Sequence, residues 1–166
     1  MTKSKTPEKK QRRTILRSFT AFNEVEKVIS ILQKINDLNI EVSILGPLTE
    51  TKRYSEKSLS DLELEIKTRC EELFESPLHF GTVSNPEIGS VFITGAFAPI
   101  FLQEINEKKI GSMSTGPYSI LRGLGIDQER VTAYLKALTN GNYVIIFRGY
   151  DEELYQLKEV LNDVWV

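Results

Sequence analysis

The chain has 166 residues, 40% hydrophobic, 27% charged and 9% aromatic, which suits one soluble globular domain with a sizeable core. Its single cysteine, Cys70, excludes an intrachain disulfide and a zinc site built from several cysteines; its single histidine, His79, excludes multi-histidine metal sites. No apolar stretch reaches the roughly 18 residues of a membrane-spanning helix, and no signal-peptide core follows the basic start, so the expected location is cytoplasmic.

Charge is uneven. Residues 1–13 hold six basic side chains against Glu8, a net +5, while the whole chain is −2, which leaves −7 on the remainder. The segment is nearly devoid of apolar residues and is expected to be a disordered basic tail ahead of a single α+β domain over 14–166. A polybasic arm is the functional alternative, but no aromatic interleaves its charges and the body is acidic. Nucleic acid is therefore an unfavoured partner, and a membrane surface a minor one.

Thr14–Phe19 reads as a first strand. Asn23, with Glu26 three residues on, predicts a capped helix from Glu24 to about Asn36, with Val25, Val28, Ile29, Leu32 and Ile35 on one stripe. Ile40–Leu45 alternates as a second strand stopped by Gly46-Pro47. Residues 49–58 form a polar loop. Ser58 or Ser60 then caps a helix bearing Leu59, Leu62, Ile66, Cys70, Leu73 and Phe74 on one side, where Cys70 is a small core residue rather than a nucleophile paired with His79.

Phe80–Val83 is a candidate short strand broken by Asn85-Pro86, and Gly89–Gly95 is a strand between glycines. Residues 88–102 carry no charge. After the polar stretch 103–109 and the small-residue loop 111–117, Pro117 opens a helix ended by Gly123-Leu124-Gly125. Asp127 caps the next helix, and Asn140-Gly141 turns into Asn142–Phe147, apolar on both faces and so expected to be central or covered on both sides. A last helix starts at Asp151, and Trp165 is expected to pack as a lid or at an interface.

Leu121–Phe147, with its Gly-x-Gly-Ile turn, Tyr-bearing helix, Gly and apolar strand, resembles the C-terminal half of small bacterial general-stress and low-temperature-induced proteins of unassigned function. Asn85-Pro-Glu-Ile-Gly-Ser-Val-Phe-Ile-Thr-Gly-Ala-Phe-Ala is similar to their Pro-x-Ile-Gly-x-Val stretch, and Ile15–Leu45 to their first βα unit. The likeness covers most of 14–163. It departs in the long helix at 59–75 and the polar interruption at 103–109. It implies a ferredoxin-like α+β sandwich, a four-stranded sheet with helices on one face and an inserted glycine-rich helical segment, and no catalytic residues.

Gly123-x-Gly125 follows a helix rather than a strand, and Gln128 stands where the dinucleotide fingerprint needs its third glycine, so the pair reads as turn and cap. Asp151, Glu152 and Glu153 suit a helix start. Thr94, Gly95, Ser112, Ser114, Thr115 and Gly116 are small residues flanking the uncharged run. They line a ligand pocket if 88–102 folds against 111–124, or else permit tight helix packing. No catalytic residue, cofactor or metal is expected. The leading expectation is a non-enzymatic protein, stress-related as the resemblance implies, that associates with itself or a protein partner through sheet edges and an exposed 88–102. The alternatives are a small-ligand-sensing regulatory module with a pocket near Gly95 and Gly116, peripheral membrane attachment through the tail and 88–102, and, least favoured, an enzyme using serine or glutamate residues that the sequence does not single out.

Overall fold

A computed structural model describes residues 11–35, 38–48, 59–74 and 79–162. The tail residues 1–10, the loop 49–58 with Ser58, and Val164 and Trp165 lie outside the described residues, as does the Leu59 side chain.

The chain is α+β. Five strands, β1 (Arg13–Phe19), β2 (Glu41–Pro47), β3 (Phe80–Asn85), β4 (Gly89–Gly95) and, late in the chain, β7 (Tyr143–Gly149), form one sheet in the order β1-β7-β2-β4-β3, every neighbouring pair antiparallel. It follows that β1, β2 and β3 run one way, with β7 and β4 threaded between them in the other. Helices α1 (Phe22–Gln33), α2 (Leu59–Phe74) and α6 (Asp151–Val160) pack on one face. The short α3 (Ala98–Leu102), α4 (Gly116–Gly123) and α5 (Gln128–Thr139) pack on the other. A two-residue pair, β5 (Glu104–Ile105) and β6 (Lys108–Lys109), makes a separate hairpin.

The expected four-stranded sheet with helices on one face is thus corrected to five strands covered on both faces. Strand alternation gives the reason. Val144 and Ile146 of β7 and Val91 and Ile93 of β4 enter one core; Ile145, Phe147 and Phe92 enter the other. Each such fully buried aliphatic stabilises by about 1.5–3 kcal/mol, so a bare face would forfeit half of them.

Local differences have local causes. β1 begins at Arg13, so two of the tail's arginines belong to the fold: Arg13 ion-pairs with Asp151 at 3.1 Å, and Arg12 with Glu41 while lying over the Tyr150 ring. Helix α1 takes its N-cap at Ala21, with no side-chain cap, and ends at Gln33, so Asn23 sits within the first turn and Ile35 beyond the last. Gly46 and Pro47 do not stop β2 but continue it. By then it has passed the end of β7 and pairs only with β4, so proline's missing N–H costs no ladder bond. Asp127 caps α5 as expected, Oδ1 accepting from the Arg130 N–H at 2.9 Å.

The uncharged run 88–102 is not an exposed surface. It is β4, interior to the sheet, and α3; Val91, Phe92, Ile93, Phe97, Ala98 and Phe101 are buried.

Candidate functional site

Thr94 and Gly95 lie at the C-terminal end of β4. Thr94 is buried and its hydroxyl donates to the His79 carbonyl at 2.9 Å. Gly95 has φ +103°, and a Cβ there would stand 2.3 Å from the Val42 carbonyl oxygen. Ser112 is in a 3-10 turn, and Ser114, Thr115 and Gly116 follow at the start of α4. That segment is tied to the other end of β4, where the Asn85 amide donates to the Gly111 carbonyl at 2.9 Å and the Met113 carbonyl at 2.8 Å, and Asn85 pairs with Gly89. The six small residues therefore form two groups at opposite ends of a seven-residue strand, about 20 Å apart by strand rise. Gly116 abuts the Ile110 carbonyl, which a Cβ would approach to 1.8 Å. At both glycines close backbone approach forbids a side chain.

One of the two groups opens on a cavity. About 360 Å³ lies beside Gly95 and Ala96, walled by Ile29 and Leu32 of α1, Ile35, Leu38 and Ile40 of the following connection, Val42 of β2 and Phe74 of α2. Two polar side chains, Gln33 and Glu41, complete its described lining. The Glu41 carboxylate is held by Arg12. The cavity arises because α1 stops at Gln33, the described residues Ile35, Leu38 and Ile40 ahead of β2 turn apolar side chains to it, and the β4 end facing it carries no bulk. Ser43, buried behind it, accepts the Phe97 N–H at 2.7 Å and fixes the turn out of β4. Ser112, Ser114, Thr115 and Gly116 do not line this space.

The reactive candidates behave as packing. Cys70 is fully buried, and burial pushes its thiol up to about 12, Arg69 pulling the other way. His79 is exposed and contributes its backbone carbonyl to Gly95 N–H and Thr94 Oγ1. At Gly125, φ +92° marks a turn, and the helix start beyond it is already occupied by the Asp127 carboxylate, so no anion seat remains at Arg130 N–H. Among the described residues no group of three or more His, Cys, Asp or Glu side chains is placed to hold a metal ion, and no helix is long and apolar enough to cross a membrane.

Sequence reading found Gly95 but missed the rest of the wall. The signal was present in Ile35, Leu38 and Ile40, three apolar residues in a connection where solvated loops carry polar ones. No protein-family model, curated protein or solved structure matches the chain.

Proposed function

We propose that the chain is a non-enzymatic binding module that holds a small amphipathic molecule in the half-open cavity beside Gly95. The observation that carries this reading is the cavity itself: about 360 Å³, in the range of small-ligand sites, with apolar side chains from α1, β2 and α2 and two polar ones, Gln33 and Glu41, to orient a ligand's polar end. The buried, high-pKa Cys70 thiol favours binding over nucleophilic chemistry. Association through an exposed 88–102 loses its support because that run is core, and the same burial weakens a membrane contact made there. A part in stress or cold response rests on the sequence resemblance alone.

Ala96→Trp tests the reading. Ala96 is exposed, lines the cavity and has no positive φ, so an indole fills the space without straining the backbone. With the apolar reporter N-phenyl-1-naphthylamine, the unaltered protein should show saturable one-to-one fluorescence enhancement, and Ala96→Trp should abolish it at an unchanged melting temperature. Absence of saturable binding, or equal binding by the variant, would refute the proposal.

A further inference from the structure

We propose that the open edge of β3 accepts an extended acidic peptide as an added strand, and that Lys109 is the residue that recognises the peptide's carboxylate. Among the described residues β3 ends the sheet order. Lys109 Nζ donates to the Thr82 carbonyl at 2.9 Å, so this carbonyl points away from β4 although Thr82 is in register with Phe92. Antiparallel ladders alternate, so Phe80, Thr82 and Ser84 all turn N–H and C=O to the open side.

Along that edge runs a second cavity of about 410 Å³, sharing no lining residue with the first. Its far wall is α2, through Ser60, Glu63, Leu64 and Lys67, and Leu64 is 63% exposed there. An edge strand beside a groove walled by a helix is the arrangement in which extended peptides add to a sheet: main-chain bonds hold the peptide, and the groove reads alternate side chains.

Charge supplies the choice of partner. Lys109 forms no ion pair among the described residues; its ammonium rests on a neutral carbonyl, a weaker partner than a carboxylate. Lys67, also in the groove, is paired with Glu71 at 4.0 Å, and Glu63 is engaged by the Thr82 hydroxyl at 2.9 Å, which leaves Lys109 as the groove's cation without a carboxylate partner among the described residues. An incoming strand's N–H can replace Nζ at the Thr82 oxygen, which frees the ammonium for an acidic side chain on the same peptide. No donor or acceptor is lost in the exchange. The position of Lys109 is set by the β5–β6 hairpin, whose turn holds Asn106 at φ 53° and Glu107 at φ 66°, a left-handed pair that a glutamate adopts only at a cost.

The test uses the whole chain, isotope-labelled, with two pools of acetylated heptapeptides of alternating Val, Ile and Thr, one with a central Glu and one with a central Gln. The Glu pool should slow hydrogen exchange at the Phe80, Thr82 and Ser84 amides and bind about tenfold more tightly than the Gln pool. Lys109→Met should erase that difference. Ser84→Pro, which costs no ladder bond to β4 and gives up only the exposed Ser84–Ser90 hydroxyl contact at 3.2 Å, should abolish the protection. No protection with either pool, protection without preference for Glu, or protection that instead follows protein concentration overturns the proposal; the first leaves Lys109 as a guard of the edge, the last assigns the edge to a second copy of the chain.

Discussion

The side chain of Asn85 is bound through both of its polar atoms, and its amide meets the Gly111 carbonyl at 2.9 Å across the gap between the β3–β4 turn and the segment leading into α4. The same nitrogen reaches the Met113 carbonyl, while Oδ1 accepts the N–H groups of Glu87 at 2.8 Å and Ile88 at 3.2 Å. Read from sequence, Asn85 is only a strand breaker before proline. Asn85→Ala would take a partner from two carbonyls and two N–H groups; the Gly111 carbonyl and the Ile88 N–H are buried, while the Met113 carbonyl keeps the Gly116 N–H, so about 2–4 kcal/mol of unfolding free energy should be lost in a urea titration. Asn85→Asp should do no better, since its carboxylate would face the two carbonyls.

Two glycines seven residues apart should respond oppositely to alanine. At Gly116 the new methyl would collide with the Ile110 carbonyl, and the loss should be about 2–4 kcal/mol. At Gly123, in the last turn of α4 and with nothing within 4 Å, alanine should stabilise by about 0.4–1 kcal/mol through the unfolded chain. Chemical denaturation of the pair checks both signs.

Glu107 occupies a left-handed conformation that glycine adopts without penalty. Glu107→Gly should raise stability by about 0.5–1 kcal/mol, measured by thermal melting, with the sheet unchanged in its circular dichroism.

Cys70 gives a pH signature. Its thiol has an ordinary value of 9.0 and is lifted to about 12 in the native state. Below pH 9 both states hold the proton, and the group adds no slope. Above pH 9 the unfolded chain releases it while the native chain keeps it, so stability should fall by about 1.4 kcal/mol per pH unit towards pH 12. The Tyr143 phenol, raised mainly by burial, acts in the same direction. Cys70→Ala should flatten the Cys70 share, and a thiol reagent should label the native protein only as fast as it unfolds. Rapid labelling at neutral pH would contradict the burial described above.

What could be read from the sequence follows from how local each determinant is. The Asp127 cap, the turn at Gly141 and the apolar β7 depend on neighbours within a few residues, and all three stand as expected. The number of covered faces is also legible, in β7 and equally in two other strands. Ser-Ile-Leu in β2, Val-Phe-Ile-Thr in β4 and Val-Ile-Ile-Phe in β7 are apolar or uncharged at successive positions, which a sheet with one wet face does not tolerate. Applied to β4, that argument predicts burial of the uncharged run rather than a sticky surface. The cavity beside Gly95 and the Lys109–Thr82 contact were beyond reach, because they join segments dozens of residues apart whose proximity only the strand order decides.

That strand order has a consequence for synthesis. The slot between β1 and β2 is filled by residues 143–149, so the two earliest strands have no common ladder partner until that segment has left the ribosome. A nascent chain halted before Tyr143 carries two unzipped strand margins and an oily strip on each, a species chaperones would recognise. Closure of the sheet then becomes a late, slow, all-or-none event rather than a growth from the N-terminus.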